Sequence, residues 1–144
     1  MDNRRSHGGY IFSFGSAPVS WYSQKQETVA GSSTEAEYRA LYDCITEAIY
    51  LRQFLAELHF PCPEPTIYVD NKSAIALASN PIFSNRTKHV GVHFYFSREQ
   101  VELGTIRLIY VPAADNHADI LTKPVNRPTL EHLSPWIGIG VPPP

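Results

Sequence analysis

The sequence predicts an α/β layer fold, with a mixed sheet flanked by helices. Three observations carry this. An aromatic, β-branched run near the start is followed by a turn and a second such run. A long central stretch repeats apolar residues at helical steps. Beyond it, short β-rich runs alternate with helix-forming segments.

The first run, residues 10–14, follows the Gly8-Gly9 pair and is rich in aromatic and β-branched side chains. Gly15-Ser16-Ala17-Pro18 reads as a hairpin turn, and residues 19–24 as its antiparallel partner, with Val19, Trp21 and Ser23 on one face. Ser32, Ser33 and Thr34 offer caps for a helix running to about Leu58, with acids in its first turn. Leu41, Cys44, Ala48, Leu51, Leu55 and Leu58 form its apolar stripe, which extends back to Glu37 and leaves Glu35 off it. Pro61, Pro63 and Pro65 then break the chain. Residues 66–70 read as a short buried strand ending in Asp70, and Asn71 as the cap of a helix over 72–79. Residues 87–103 read as a helix stopped at Gly104, residues 105–111 as a strand, and residues 116–123 as a last short helix ended by Pro124. This gives one domain over 1–126 and a Pro-rich tail over 127–144, loosely packed except near Leu130, Leu133 and Trp136.

A chain of 144 residues with 43% hydrophobic and 18% charged residues can bury a core without disulfides or a structural metal. The net charge of −2 carries no global basic footprint, so nucleic acid would be held by a local groove and not by bulk electrostatics. Cys44 and Cys62 lie outside any CxxC pair and read as reduced thiols. His89 and His93 are four apart but lack a third ligand nearby. No stretch approaches the ~18 apolar residues of a spanning helix. Residues 1–6 lack the apolar segment of a signal peptide, so an intracellular protein, cytoplasmic or nuclear, with no membrane partner is expected.

Three acids stand out by position: Glu37 early on a helix stripe, Asp70 at the C-terminal end of a strand, and Asp119 in the first turns of a helix. Ligands of open α/β sheets gather at strand C-termini. An acid on an apolar face needs compensation, and Mg2+, which prefers carboxylate oxygens and water, is one compensator.

The words around these acids are more specific. Ser33-Thr34-Glu35-Ala36-Glu37-Tyr38-Arg39-Ala40-Leu41 resembles the signature helix of the copia-type retrotransposon RNase H domain. So do Val69-Asp70-Asn71-Lys72-Ser73-Ala74, Arg86-Thr87-Lys88-His89-Val90 and Ala118-Asp119-Ile120-Leu121-Thr122-Lys123-Pro124, and residues 19–26 resemble the strand before that helix. The resemblance runs from about Asp2 to Val141. It implies an RNase H-like mixed sheet and cleavage of RNA in RNA–DNA hybrids, with four carboxylates holding two ions, Mg2+ or Mn2+. Glu37, Asp70 and Asp119 match three of those catalytic, metal-binding positions, and Lys25, Asn71, Lys72, Arg86 and Lys88 are the nucleic-acid-binding candidates.

The family's fourth carboxylate lies on a first, central strand, and this sequence begins in the loop after it, at Asp2-Asn3-Arg4-Arg5. Gly91 and Tyr95 also stand where the family usually has an acid and a histidine. The expectation is a retroelement-derived domain lacking that strand, with a reading frame of its own, catalytically impaired and acting through a protein or nucleic-acid partner. Exposed strand edges would then pair with a partner or with a second copy. Metal-dependent RNase H activity is the alternative.

Overall fold

A computed structural model describes residues 7–25, 33–79 and 91–140. The fold is mixed α/β, and the chain divides into two compact units. One contains the described residues 7–25 and 112–140; the other contains 33–79 and 91–111.

In the first unit, β1 (His7–Phe14) pairs antiparallel with β2 (Ala17–Lys25), as the hairpin pattern predicts. Gly15 takes the turn at φ +63°, where a side chain would be strained. Tyr10 faces Tyr22 across the ladder, their rings stacked at 5.3 Å. Val19, Trp21 and Ser23 do share a face, and it is the exposed one. After the hairpin's share of the chain, a 3-10 turn (Ala113–Asp115) leads to α4 (Asp119–Thr122) and α5 (Arg127–Leu133). Residues 127–133 are therefore helical, within the part of the tail where packing near Leu130 and Leu133 is expected. Asn126 caps α5 by accepting from the Thr129 amide at 3.0 Å, Pro128 sits in its first turn, and Leu133 is fully buried. Leu130 and Trp136 stay largely exposed.

The second unit opens with α1 (Ser33–Glu57). Its buried arc is Tyr38, Leu41, Ile45 and Ala48. The expected stripe was drawn about one residue away, through Glu37 and Cys44, so Glu37 lies beside the core and is exposed. The larger side chains, Tyr38 and Ile45, take the centre of the arc because they remove more apolar surface from water. Tyr38 donates its hydroxyl to the Phe94 carbonyl at 3.3 Å. The helix ends with His59 in the left-handed region, closed by Phe60 N–H to Leu55 C=O.

β3 (Thr66–Val69) runs parallel to β4 (Arg107–Tyr110), with α2 (Lys72–Ser79) and α3 (Gly91–Glu102) between them in sequence. Ile67, Ala74, Ala78, Phe94 and Ile106 join the α1 arc in the core. Gly104 stops α3 at φ +68°, as expected. The remainder of the expected segment 87–103, together with Pro81, Arg86, Lys88 and His89, lies outside the described residues.

The expected single mixed sheet is not formed among the described residues. There are two two-stranded sheets, β1–β2 antiparallel and β3–β4 parallel. Each strand thus has one paired edge and one without a described neighbour.

Candidate metal centre

Asp70 directly follows β3, at the strand's C-terminal end. Asn71 fixes the turn after it. The Asn71 side-chain oxygen accepts from the Ala74 amide at 3.0 Å, and its carbonyl accepts from Ile75 at 3.2 Å. The strand end and the helix start therefore hold Asp70 from both sides. Asp70 stands at a strand's end and Asn71 caps the following helix, as the sequence predicts.

Glu37 approaches Asp70 from α1. Its carboxyl is raised above its ordinary range, first by partial burial and then by the negative charge of Asp70. Among the described residues no cation pairs with either carboxylate. The structure brings Glu37 within electrostatic reach of Asp70.

Asp119 sits in the other unit, as the first residue of α4, and is buried at 8% exposure. α4 lies close on the hairpin. A Cβ at Gly9 would stand 2.8 Å from Thr122 Cγ2 and 2.9 Å from the Tyr22 carbonyl, so only glycine permits this approach. Ser23 donates its hydroxyl to the Leu121 carbonyl. Asn116 accepts from the Ala118 amide through its side chain at 3.1 Å, and its carbonyl accepts from Asp119 at 3.1 Å. Lys123 pairs with Asp119, Nζ to Oδ2 at 2.6 Å. Gly9, Ser23 and Lys123 were not singled out by the sequence reading. The double glycine before a strand was the available signal for Gly9, and the i,i+4 spacing for Lys123.

Of the nucleic-acid-binding candidates, Lys25 is exposed at the end of β2. Lys72 lies over the Tyr110 ring at 4.7 Å, a cation–π contact at the start of α2. Asn71 uses its oxygen in the helix cap, as above. Arg86 and Lys88 lie outside the described residues. His117 is half-buried and stacked on Trp136 at 5.7 Å; burial, then His132, lowers its pKa. His93 stacks on Tyr42 at 4.1 Å. Both cysteines are free thiols, and burial pushes Cys44 up to about 12, which leaves it protonated and unreactive.

The Glu37–Asp70 pair fits Mg2+ or Mn2+ in donor chemistry: two carboxylates in need of positive charge, with open surface for coordinated water. Among the described residues no set of three or more histidine, cysteine, aspartate or glutamate side chains gathers as a metal site. No described helix is long and apolar enough to cross a membrane.

Comparison with known proteins finds similar sequences within much longer proteins. The chain is 42% identical over 144 residues to the retrovirus-related Pol polyprotein from transposon RE2 of Arabidopsis thaliana, covering 99% of this chain and 10% of that protein. It is 39% identical over 139 residues to the corresponding polyprotein from transposon TNT 1-94 of Nicotiana tabacum, covering 96% and 10%. A 51-residue stretch is 51% identical to the secreted RxLR effector protein 161 of Plasmopara viticola, covering 35% of this chain and 36% of that protein. The chain therefore spans about a tenth of the Pol polyproteins it matches. No family model matches, and no solved structure matches.

Proposed function

We propose that this chain, which is similar to about a tenth of the retrovirus-related Pol polyproteins of transposons, is an RNase H-like segment whose Glu37–Asp70 pair binds Mg2+ or Mn2+ and serves cleavage of RNA in RNA–DNA hybrids. What supports this reading is Asp70 held at the end of β3 by the Asn71 cap, with its charge acting on the Glu37 carboxyl. When bound, the ion supplies an activated water and stabilises the leaving oxygen.

The chain's own residues do the rest. Asp70 presents its carboxylate from a strand end that the Asn71 cap holds still. Glu37 contributes a second carboxylate from α1. Lys72 and Lys25 are the described cations that would meet phosphate oxygens. The test is digestion of a labelled RNA–DNA hybrid by the full chain in Mg2+ or Mn2+, beside Asp70→Asn. Cleavage well above that variant is expected; cleavage equal to it contradicts the reading.

A second reading, association of two copies through strand edges, is favoured by the split into two two-stranded sheets. β3 has β4 on one edge and no described neighbour on the other, and such an edge accepts a further strand. Light scattering distinguishes the two readings: a stable dimer mass favours this one, and a monomer mass at high concentration counts against it.

A further inference from the structure

Lys72 differs from the other cations of its unit in what it faces. Arg98 and Arg107 each pair with a carboxylate, Glu102 and Glu64, and Arg52 donates to the Thr105 carbonyl at 3.3 Å. Among the described residues no carboxylate pairs with Lys72. Its ammonium lies over the Tyr110 ring instead, 4.7 Å from the centroid. Lys72 also opens α2, at the helix end where a positive charge is unfavourable, so the helix gains nothing from it. Both side chains reach solvent: Lys72 is exposed and Tyr110 is 44% exposed.

The ring is better held than the lysine. Tyr110 ends β4 and is the register partner of Val69, the residue before Asp70. The Val111 amide donates to the Val69 carbonyl at 3.0 Å, so backbone pairing continues past Tyr110. We propose that Tyr110 is a positioning residue for nucleic-acid binding, its ring holding the Lys72 ammonium ready for a backbone phosphate at the strand end that carries Asp70. This rests on the RNA–DNA reading above and deepens it, by naming the part of the substrate met there and a residue that the sequence did not single out. A lysine stem loses rotamer freedom when its head is fixed, and the ring takes up part of that loss before any ligand arrives. An ammonium seated on a ring face keeps N–H donors on its far side, and a phosphate oxygen supplies the negative charge that no described carboxylate gives. Tyr110 itself touches no phosphate; it acts through Lys72.

Binding of a labelled RNA–DNA hybrid by the full chain, in EDTA and over a range of salt, tests this. Lys72→Gln is expected to weaken binding and to lower the slope of log affinity against log salt by about 1, the loss of one phosphate contact. Tyr110→Val, which suits a strand but has no ring, should weaken binding roughly two- to fivefold, the equivalent of one exposed cation–π contact. Tyr110→Phe, which keeps the ring face, should bind as the parent does. In the Lys72→Gln background Tyr110→Val should have no further effect, because the ring acts only through the ammonium. An equal loss from Tyr110→Val in both backgrounds is what a merely structural tyrosine would give, and it overturns the proposal. So do full affinity in Tyr110→Val, a Tyr110→Phe as weak as Tyr110→Val, and a parent that does not bind the hybrid. The cleavage reading is judged separately. Coupled losses in a chain that cleaves no better than Asp70→Asn uphold the Tyr110 role and reject cleavage, and cleavage above Asp70→Asn without that coupling does the reverse. Should Tyr110→Val fail to fold, Tyr110→Thr replaces it, with the same expected and contrary results.

Discussion

At Glu37 partial burial and a neighbouring charge act in the same direction, and both disfavour the ionised form. A folded-state value raised above the ordinary 4.5 contributes stability that is fully present below 4.5 and is lost as pH rises through the folded value. Divalent-ion binding has the opposite slope, because the ion needs the deprotonated carboxylate, so affinity should climb over the same window. Asp70→Asn should bring the Glu37 midpoint only part of the way down, since burial is the larger cause and remains. Carboxyl-carbon NMR titration checks this; an unchanged midpoint would mean that Asp70 does not act on Glu37. The sequence made Asp70 easy to place, because a strand end followed by an asparagine cap is a local pattern. Glu37 was placed one residue too deep. Leu41 and Ala48 belong to both possible stripes, and only tertiary packing decides whether Tyr38 and Ile45 or Glu37 and Cys44 share the core with them.

The contact between α4 and the hairpin sets where Asp119 stands. Gly9 meets the Tyr22 carbonyl and Thr122 with no room for a methyl group. Gly9→Ala should therefore destabilise the first unit by about 1–3 kcal/mol, the usual cost of overpacking, and should shift the amide resonances of residues 118–121. A chemical denaturation curve superimposable on the parent's would contradict that packing. Elements with local signals were legible in the sequence: the hairpin, the α2 cap and the Gly104 stop. The stop of α1 was placed by the prolines that follow it, while the left-handed residue that closes it is His59, a type that gives little warning of that conformation. α5 was read as a tail because its prolines outweighed Asn126 and Pro128, which together are a helix-start signal.

At the scale of the molecule, strand pairing is the feature least available to a sequence, because it depends on which long-range edges meet. Both hairpin strands and both parallel strands were anticipated, yet among the described residues they form separate sheets and not one. The chain spans about a tenth of the length of the Pol polyproteins it matches. The activity proposed for it accordingly depends on what the described carboxylates do with a divalent ion. Isothermal titration of the full chain with Mn2+ beside Asp70→Asn tests that claim most directly. The account predicts saturable binding to the parent, strengthening as pH rises above the ordinary carboxylate range, and a loss of most of that binding in Asp70→Asn; equal binding by the two proteins would contradict it.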